Sequence, residues 1–146
     1  MDQNDYRRKI YNCESAIDDC RRDIKEFEEN ISQLNILKRK LKSLSKNVEK
    51  SKNKGQKDIQ RLKAVLSVGR TLFRGRFFTS VKNVFSDSKY IKAKNEIASN
   101  ISAVDKKLQF YEGEISKKRE EMALLINTIN NCREEIRVLD MQEGDQ

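Results

Sequence analysis

The sequence predicts an all-α fold: an elongated antiparallel helical hairpin that resembles a coiled coil and bends near residues 67–76. The first observation is that apolar residues recur alternately every three and four positions along two long segments, which places one stripe on each helix. The second is that none of the 146 residues is proline, so nothing forces a long helix to break. Gly69 and Gly75 bracket the point where the helical pattern falters between the two segments.

The chain is predicted to form a single domain over residues 1–146. Its parts are a helix over about 4–66, a turn over about 67–76, a helix over about 77–139 with a candidate break at 86–88, and a tail over 140–146. The first helix is expected to begin near Asp2 to Asn4, where side-chain oxygens can cap free amides. The tail carries no apolar stripe and is expected to fray.

The stripe of the first helix follows a nearly continuous seven-residue frame. It comprises Tyr6, Ile10, Cys13, Ile17, Cys20, Ile24, Phe27, Ile31, Leu34, Leu37, Leu41, Leu44 and Val48. The step from Leu34 to Leu37 is three residues where four are due, which predicts a stammer that locally overwinds the supercoil. Further on, Lys52 and Gly55 occupy stripe positions, so residues 51–56 are expected to kink or fray.

The stripe of the second helix is more regular, and only Lys118 is out of character in it. It comprises Ile97, Ile101, Val104, Leu108, Tyr111, Ile115, Met122, Leu125, Ile129, Cys132, Ile136 and Leu139. Further apolar residues lie off the frame of both helices, namely Ile36, Phe110, Leu124 and Ile126. They widen the apolar surface beyond what one antiparallel neighbour can cover, so a bound partner is expected.

Charge is segregated along the chain. Residues 38–94 contain 18 Lys and Arg against three acidic residues, a net charge of +15, whereas the other residues contain 13 basic and 20 acidic ones, a net of −7. One interpretation is an electrostatic handle for an acidic protein, an anionic lipid surface or nucleic acid. The other is a solvated helix face that discourages aggregation.

The composition argues against an enzyme. The chain has no histidine, and it contains no recognisable nucleophile motif or glycine-rich phosphate loop. No catalytic, cofactor-binding or metal-ligating residues are therefore predicted, and no cofactor. No apolar stretch approaches the roughly 18 residues of a membrane span, and the N-terminus lacks a signal-peptide core, so the protein is expected in the cytoplasm, with no membrane span.

The three cysteines all fall on the predicted stripes, where small buried hydrophobic residues are the ordinary interpretation. A hairpin folded about Phe73 brings Cys13 level with Cys132, since they lie 60 and 59 positions from it. A disulfide between Cys13 and Cys132 could thus join the open ends of the hairpin in an oxidising compartment.

The segment SVGRTLFRGRFFTSVKNVF, at residues 67–85, has a helix before it and a long regular helix after it. It resembles the bend of the WXG-type helical hairpins of type VII secretion, and most closely that of the YwqH-like small helical proteins associated with LXG toxins. Those proteins carry an aromatic-x-glycine motif at the bend, which Phe73 and Gly75 match, with Phe in place of the usual Trp. The aromatic can close the top of the stripe while the glycine lets the backbone turn.

The resemblance implies a non-catalytic accessory or targeting chaperone. Its expected partners are the helical N-terminal LXG domain of a toxin, a second small helical protein and the secretion machinery, and it could leave the cell with its partner by a route that needs no signal peptide. The bend motif is Phe73 and Gly75. The partner-interface candidates are Leu72, Phe73, Phe77, Phe78, Val81, Phe85, Phe110, Leu124 and Ile126.

Two alternatives stay open. The basic segment, in which Phe77, Phe78 and Tyr90 are interleaved, could bind nucleic acid or an anionic membrane with a salt-dependent affinity. Nucleic acid is the less favoured of these partners, because the aromatics fall at core-like helical spacing. The chain could also be a structural coiled coil that dimerises through both arms.

Overall fold

The computed structural model describes the backbone of residues 1–68 and 87–145, and the side chains of residues 1–57 and 89–145. Two helices account for nearly all of it: α1, Gln3–Val68, and α2, Asp87–Gly144. The predicted all-α helical hairpin is confirmed. The bend motif, Phe73 and Gly75, lies outside the described residues.

The start of α1 is fixed by two aspartates that cap each other. The backbone N–H of Asp5 donates to Oδ1 of Asp2 at 2.9 Å, and the backbone N–H of Asp2 donates to Oδ2 of Asp5 at 3.1 Å. This reciprocal pattern is a capping box, which satisfies two amides that the first helical turn would leave free. The predicted start near Asp2 to Asn4 is confirmed.

The helices extend further than the sequence pattern indicates. Residues 51–56 lie within α1 and Gly55 is buried, so helical packing outweighs the weak propensity of the segment. At the other end, α2 continues to Gly144, five residues past the predicted end at Leu139. Residues 140–143 contain neither proline nor glycine to stop it, and the side-chain amide of Gln3 donates to the Asp140 carboxylate. Residues 87 and 88 of the candidate break are helical too.

One compact unit, here the terminal unit, comprises Met1–Leu34 and Lys107–Gln146. Its two helical segments run antiparallel: Glu14 pairs with Arg133 at 3.6 Å, and Asp23 pairs with Lys118 at 3.3 Å. Apolar residues of the stripes form the interior. The buried side chains are Cys13, Ile17, Cys20, Ile115, Ile129 and Cys132.

A second compact unit, here the middle unit, comprises Asn35–Lys106. Its segments are also antiparallel, with Lys38 Nζ 2.6 Å from Asp105 Oδ1 and Lys94 paired with Glu49. Ile97 and Val104 are the buried hydrophobic side chains among its described residues.

The helical frame of α1 passes through Lys38 and Ser45, which are half-buried, and not through Leu37 and Leu44, which are exposed. The predicted stammer is therefore wrong. After Leu34 the alternation of four and three residues continues without interruption, because two polar residues occupy positions of the seam between the helices. Lys38 is tolerated there because its aliphatic stem lies along the seam while its ammonium group reaches Asp105.

The three cysteines are buried and free, so the disulfide predicted between Cys13 and Cys132 is not formed. Cys13 instead packs in a buried cluster with Ile17 and Ile129, which does not include Cys132. Placing two residues at the same level of a hairpin is not enough for a disulfide, because the bond also demands a particular distance and orientation of the two Cβ atoms. The thiols act as small apolar side chains.

Candidate partner-binding surface

Three of the predicted interface residues lie in the described part of the chain, and all three are exposed on α2. Leu124 is 68% exposed, Phe110 is 59% exposed, and Ile126 is also exposed. The other candidates lie outside the residues whose side chains are described: Leu72, Phe73, Phe77, Phe78, Val81 and Phe85.

Phe110 and Leu124 form one line with a third residue, Val138, that the sequence pattern did not single out. The three residues are spaced by 14, which is two heptads, so they share one heptad position of α2, and the exposed Lys117 and Asn131 occupy that position between them. All three are exposed, and none belongs to the seam. The Phe110 ring packs edge-on against that of Tyr111, with centroids 5.5 Å apart. We call Phe110, Leu124 and Val138 the outer line.

The outer line crosses a section of α2 that carries no charge. From Met122 to Cys132 the sequence is MALLINTINNC, whereas 37% of the whole chain is charged. Apolar and amide side chains are exposed there, including Leu124, Asn127 and Asn131. A partner can cover this section without desolvating a charge, which is the usual character of the centre of a protein interface.

Glutamates flank this uncharged section on both sides. Towards the N-terminus, Lys117 pairs with Glu114 at 3.2 Å, and towards the C-terminus Arg137 binds Glu134 at 2.7 Å. The hydrogen bond and charge of Arg137 lower the pKa of Glu134 below its usual range. Glu120 and Glu135 are exposed nearby and form no ion pair with a described residue, but basic residues alternate with the acidic ones in both flanks, so a partner would meet charges of both signs around an apolar centre.

Sequence reasoning missed exposed apolar residues in both units. Tyr11 and Met141 are exposed in the terminal unit, and Leu37, Leu44 and Ile91 in the middle unit. A continuous heptad frame would have placed Leu37 and Leu44 outside the seam. Leu44 also lines an open groove of about 430 Å³ between the helices of the middle unit.

Lys118, the one charged residue in the apolar stripe of α2, forms ion pairs with two acidic residues. Its ammonium group lies 3.3 Å from Asp23 on α1 and 3.6 Å from Glu121 on its own helix. The hydrogen bond to Asp23 is the main cause of a raised Lys118 pKa. Burial, with Glu121 nearby, raises the pKa of the neighbouring Cys20 thiol, which keeps it protonated near neutral pH.

None of the polar or charged side chains of the described residues is buried, and no group of three or more His, Cys, Asp or Glu is placed among them to hold a metal ion. Nor does any helix in this part of the chain have the length and hydropathy needed to cross a bilayer.

The fold and surface define a class of protein: an antiparallel two-helix hairpin with exposed apolar side chains on the outside of one helix. In comparisons with known proteins, no family model, curated sequence or solved structure matches the chain. The functional argument therefore depends on the residues of this chain.

Proposed function

We propose that the chain is a non-catalytic accessory protein that binds a long helical partner. The proposed partner is the helical N-terminal LXG domain of a toxin destined for type VII secretion, which the hairpin would keep soluble and present to the export machinery. The partner is named from the sequence motif of Phe73 and Gly75, which resembles the aromatic-x-glycine motif of LXG-associated hairpins. The outer line supplies the argument for binding.

The single observation that carries the proposal is the exposure of Phe110, Leu124 and Val138 in one direction from α2. Scattered exposed apolar residues are ordinary on proteins. Here Phe110, Leu124 and Val138 share one heptad position with the polar Lys117 and Asn131, so a partner helix would meet apolar side chains at alternate heptads. A second helix that packs along this line would bury Leu124 within the uncharged section. Burial of an exposed leucine contributes about 1.5–3 kcal/mol.

The direct test is co-expression of the chain with the N-terminal domain of an LXG toxin encoded beside it, followed by affinity purification and size-exclusion chromatography. We expect the two proteins to elute together. The double variant Phe110→Ala, Leu124→Ala should lose the complex, because it removes most of the apolar surface of the outer line while alanine preserves the helix.

The control is Tyr11→Ala, which removes an aromatic residue of α1 that is even more exposed than Phe110, away from the outer line. It should leave the complex intact. The proposal fails if the toxin domain does not co-purify with the wild-type chain, or if the two variants behave alike.

A further inference from the structure

A second surface lies on the middle unit, on the side of α1 that faces away from the seam. In residues 39–57, nine positions fall within about 50° of the line opposite the seam. Six are basic, three are Ser or Asn, and none is acidic. All six basic side chains are exposed, and we call them the cationic strip: Arg39, Lys40, Lys46, Lys50, Lys54 and Lys57.

The charges of the cationic strip are not neutralised within the described structure. Lys38 and Lys94 of the middle unit pair with Asp105 and Glu49, but no member of the strip forms an ion pair with a described residue. Lys46, Lys50 and Lys54 follow one another at intervals of four, which places like charges side by side on the helix and costs a few tenths of a kcal/mol for each pair.

The outer face of α1 in the terminal unit is built differently. There, Arg21 pairs with Asp18 and Arg22 pairs with Asp19 within the same helix. Mixed signs of this kind are sufficient for a solvated helix face. The single sign of the cationic strip therefore points to an external polyanion that neutralises it.

We propose that the cationic strip docks the protein on an anionic phospholipid surface. From Arg39 to Lys57 the strip extends about 27 Å along a single helix, at about 1.5 Å per residue. A flat surface can meet all six charges of such a line at once. Each basic residue held near an anionic leaflet contributes about 1 kcal/mol.

Three aliphatic residues favour lipid over nucleic acid as the occupant. Ile36 lies on the centre line of the same face, just before the strip, and Leu37 and Leu44 follow one of its edges; all three are exposed. Exposed aliphatic side chains beside a basic face can enter the boundary between headgroups and acyl chains. Proteins that bind single-stranded nucleic acid instead use exposed aromatics for stacking, and the described residues of the middle unit include no exposed aromatic side chain.

This surface is independent of the outer line, and its test uses the chain alone. The experiment is co-sedimentation of the full chain with phosphatidylcholine vesicles that contain or lack phosphatidylglycerol. We expect binding to the vesicles that contain phosphatidylglycerol, weakening as salt rises because exposed charges are screened. Equal binding to both kinds of vesicle, or binding that salt does not weaken, would overturn the proposal.

The decisive variant neutralises Lys46, Lys50, Lys54 and Lys57 by substitution with Gln, which keeps the helix propensity nearly unchanged. Affinity for vesicles should fall by roughly a factor of five for each cation removed, and thus by several hundred-fold. The matched control neutralises four exposed cations of the terminal unit that form no ion pair there, Arg7, Arg8, Lys9 and Lys25. An equal loss in the control would mean that net charge alone drives binding, and would contradict the proposal.

A further measurement compares nucleic acid with phospholipid as the occupant. Fluorescence anisotropy measures binding of the chain to a random-sequence DNA duplex and to a DNA single strand. Leu44→Ser should weaken binding to vesicles several-fold and leave any binding to DNA unchanged. Tighter binding to DNA than to vesicles, lost in the Lys→Gln variant, would overturn the lipid assignment.

Discussion

The two units are built from the same pair of helices, but they differ in both their interior and their charge. The terminal unit has six buried apolar side chains along its seam and a net charge of −6, from 12 basic and 18 acidic residues. The middle unit has two buried hydrophobic side chains among its described residues, and a net charge of +14, from 19 basic and 5 acidic residues. The same pair of helices thus carries a mixed, slightly acidic surface around its buried cysteines and isoleucines in the terminal unit, and a strongly basic sequence in the middle unit.

The largest expected effect comes from the core of the terminal unit. Ile17→Ala removes a buried side chain from the cluster with Cys13 and Ile129, and should lower the free energy of unfolding by about 2–4 kcal/mol. Urea denaturation followed by circular dichroism measures the change. Reaction of the three cysteines with a thiol reagent should accelerate as well, because all of them are buried in this unit.

The control for this prediction is Ile36→Ala, at an exposed position of the middle unit. It should change stability by no more than about 0.5 kcal/mol. If both variants lost the same stability, burial would not be what distinguishes the two units.

The next effect is a gain of stability in the middle unit. Ser45 is half-buried at a seam position, so Ser45→Leu should add about 1 kcal/mol by burying more apolar surface. Hydrogen exchange of the backbone amides from Asn35 to Lys57 should slow. The matched substitution is Ser43→Leu, two residues away on the exposed outer face, and equal slowing by both would contradict the frame described for α1.

A smaller effect concerns the middle unit in acid. Lys94 lowers the pKa of Glu49 below its usual range, mainly through their hydrogen bond. Because the pKa of Glu49 is lower in the folded protein, the pair stabilises the fold at pH values above the unfolded pKa of a glutamate, about 4.3. This stabilisation is lost as pH falls through the pKa of Glu49 in the folded protein. The wild-type melting temperature should therefore fall on acidification more than that of Glu49→Gln, and parallel curves would argue against this pair.

The smallest effect is a loss of stability of the terminal unit in alkali. Asp23 and Glu121 raise the pKa of Lys118. Lys118 therefore stabilises the fold fully at pH values below the unfolded pKa of a lysine, about 10.4, and this stabilisation is lost as pH rises through the pKa of Lys118 in the folded protein. Lys118→Met keeps the aliphatic stem and should flatten the alkaline decline of the melting temperature. A decline as steep as that of the wild type would show that the decline has another source.

The amino-acid sequence by itself determined the secondary structure, the antiparallel pairing and the segregation of charge. These features follow from local properties: the apolar period of about 3.5 residues, the absence of proline, the Asp2 and Asp5 cap, and the order of the basic and acidic residues. The exposure of Phe110, Leu124 and Ile126 outside the seam was also predictable, because they lie off the heptad frame.

Only the tertiary structure decided which residues fill the seam where polar and apolar candidates compete. The sequence pattern favoured Leu37 and Leu44, yet packing against α2 maintains one continuous frame and places Lys38 and Ser45 there. In the tertiary structure Cys13 and Cys132 are free thiols, and Lys118 of α2 pairs with Asp23 of α1. The physical reason is that two frames are available after Leu34, one through apolar Leu37 and Leu44 and one that continues the heptad through polar Lys38 and Ser45, and packing against the opposite helix selects between them.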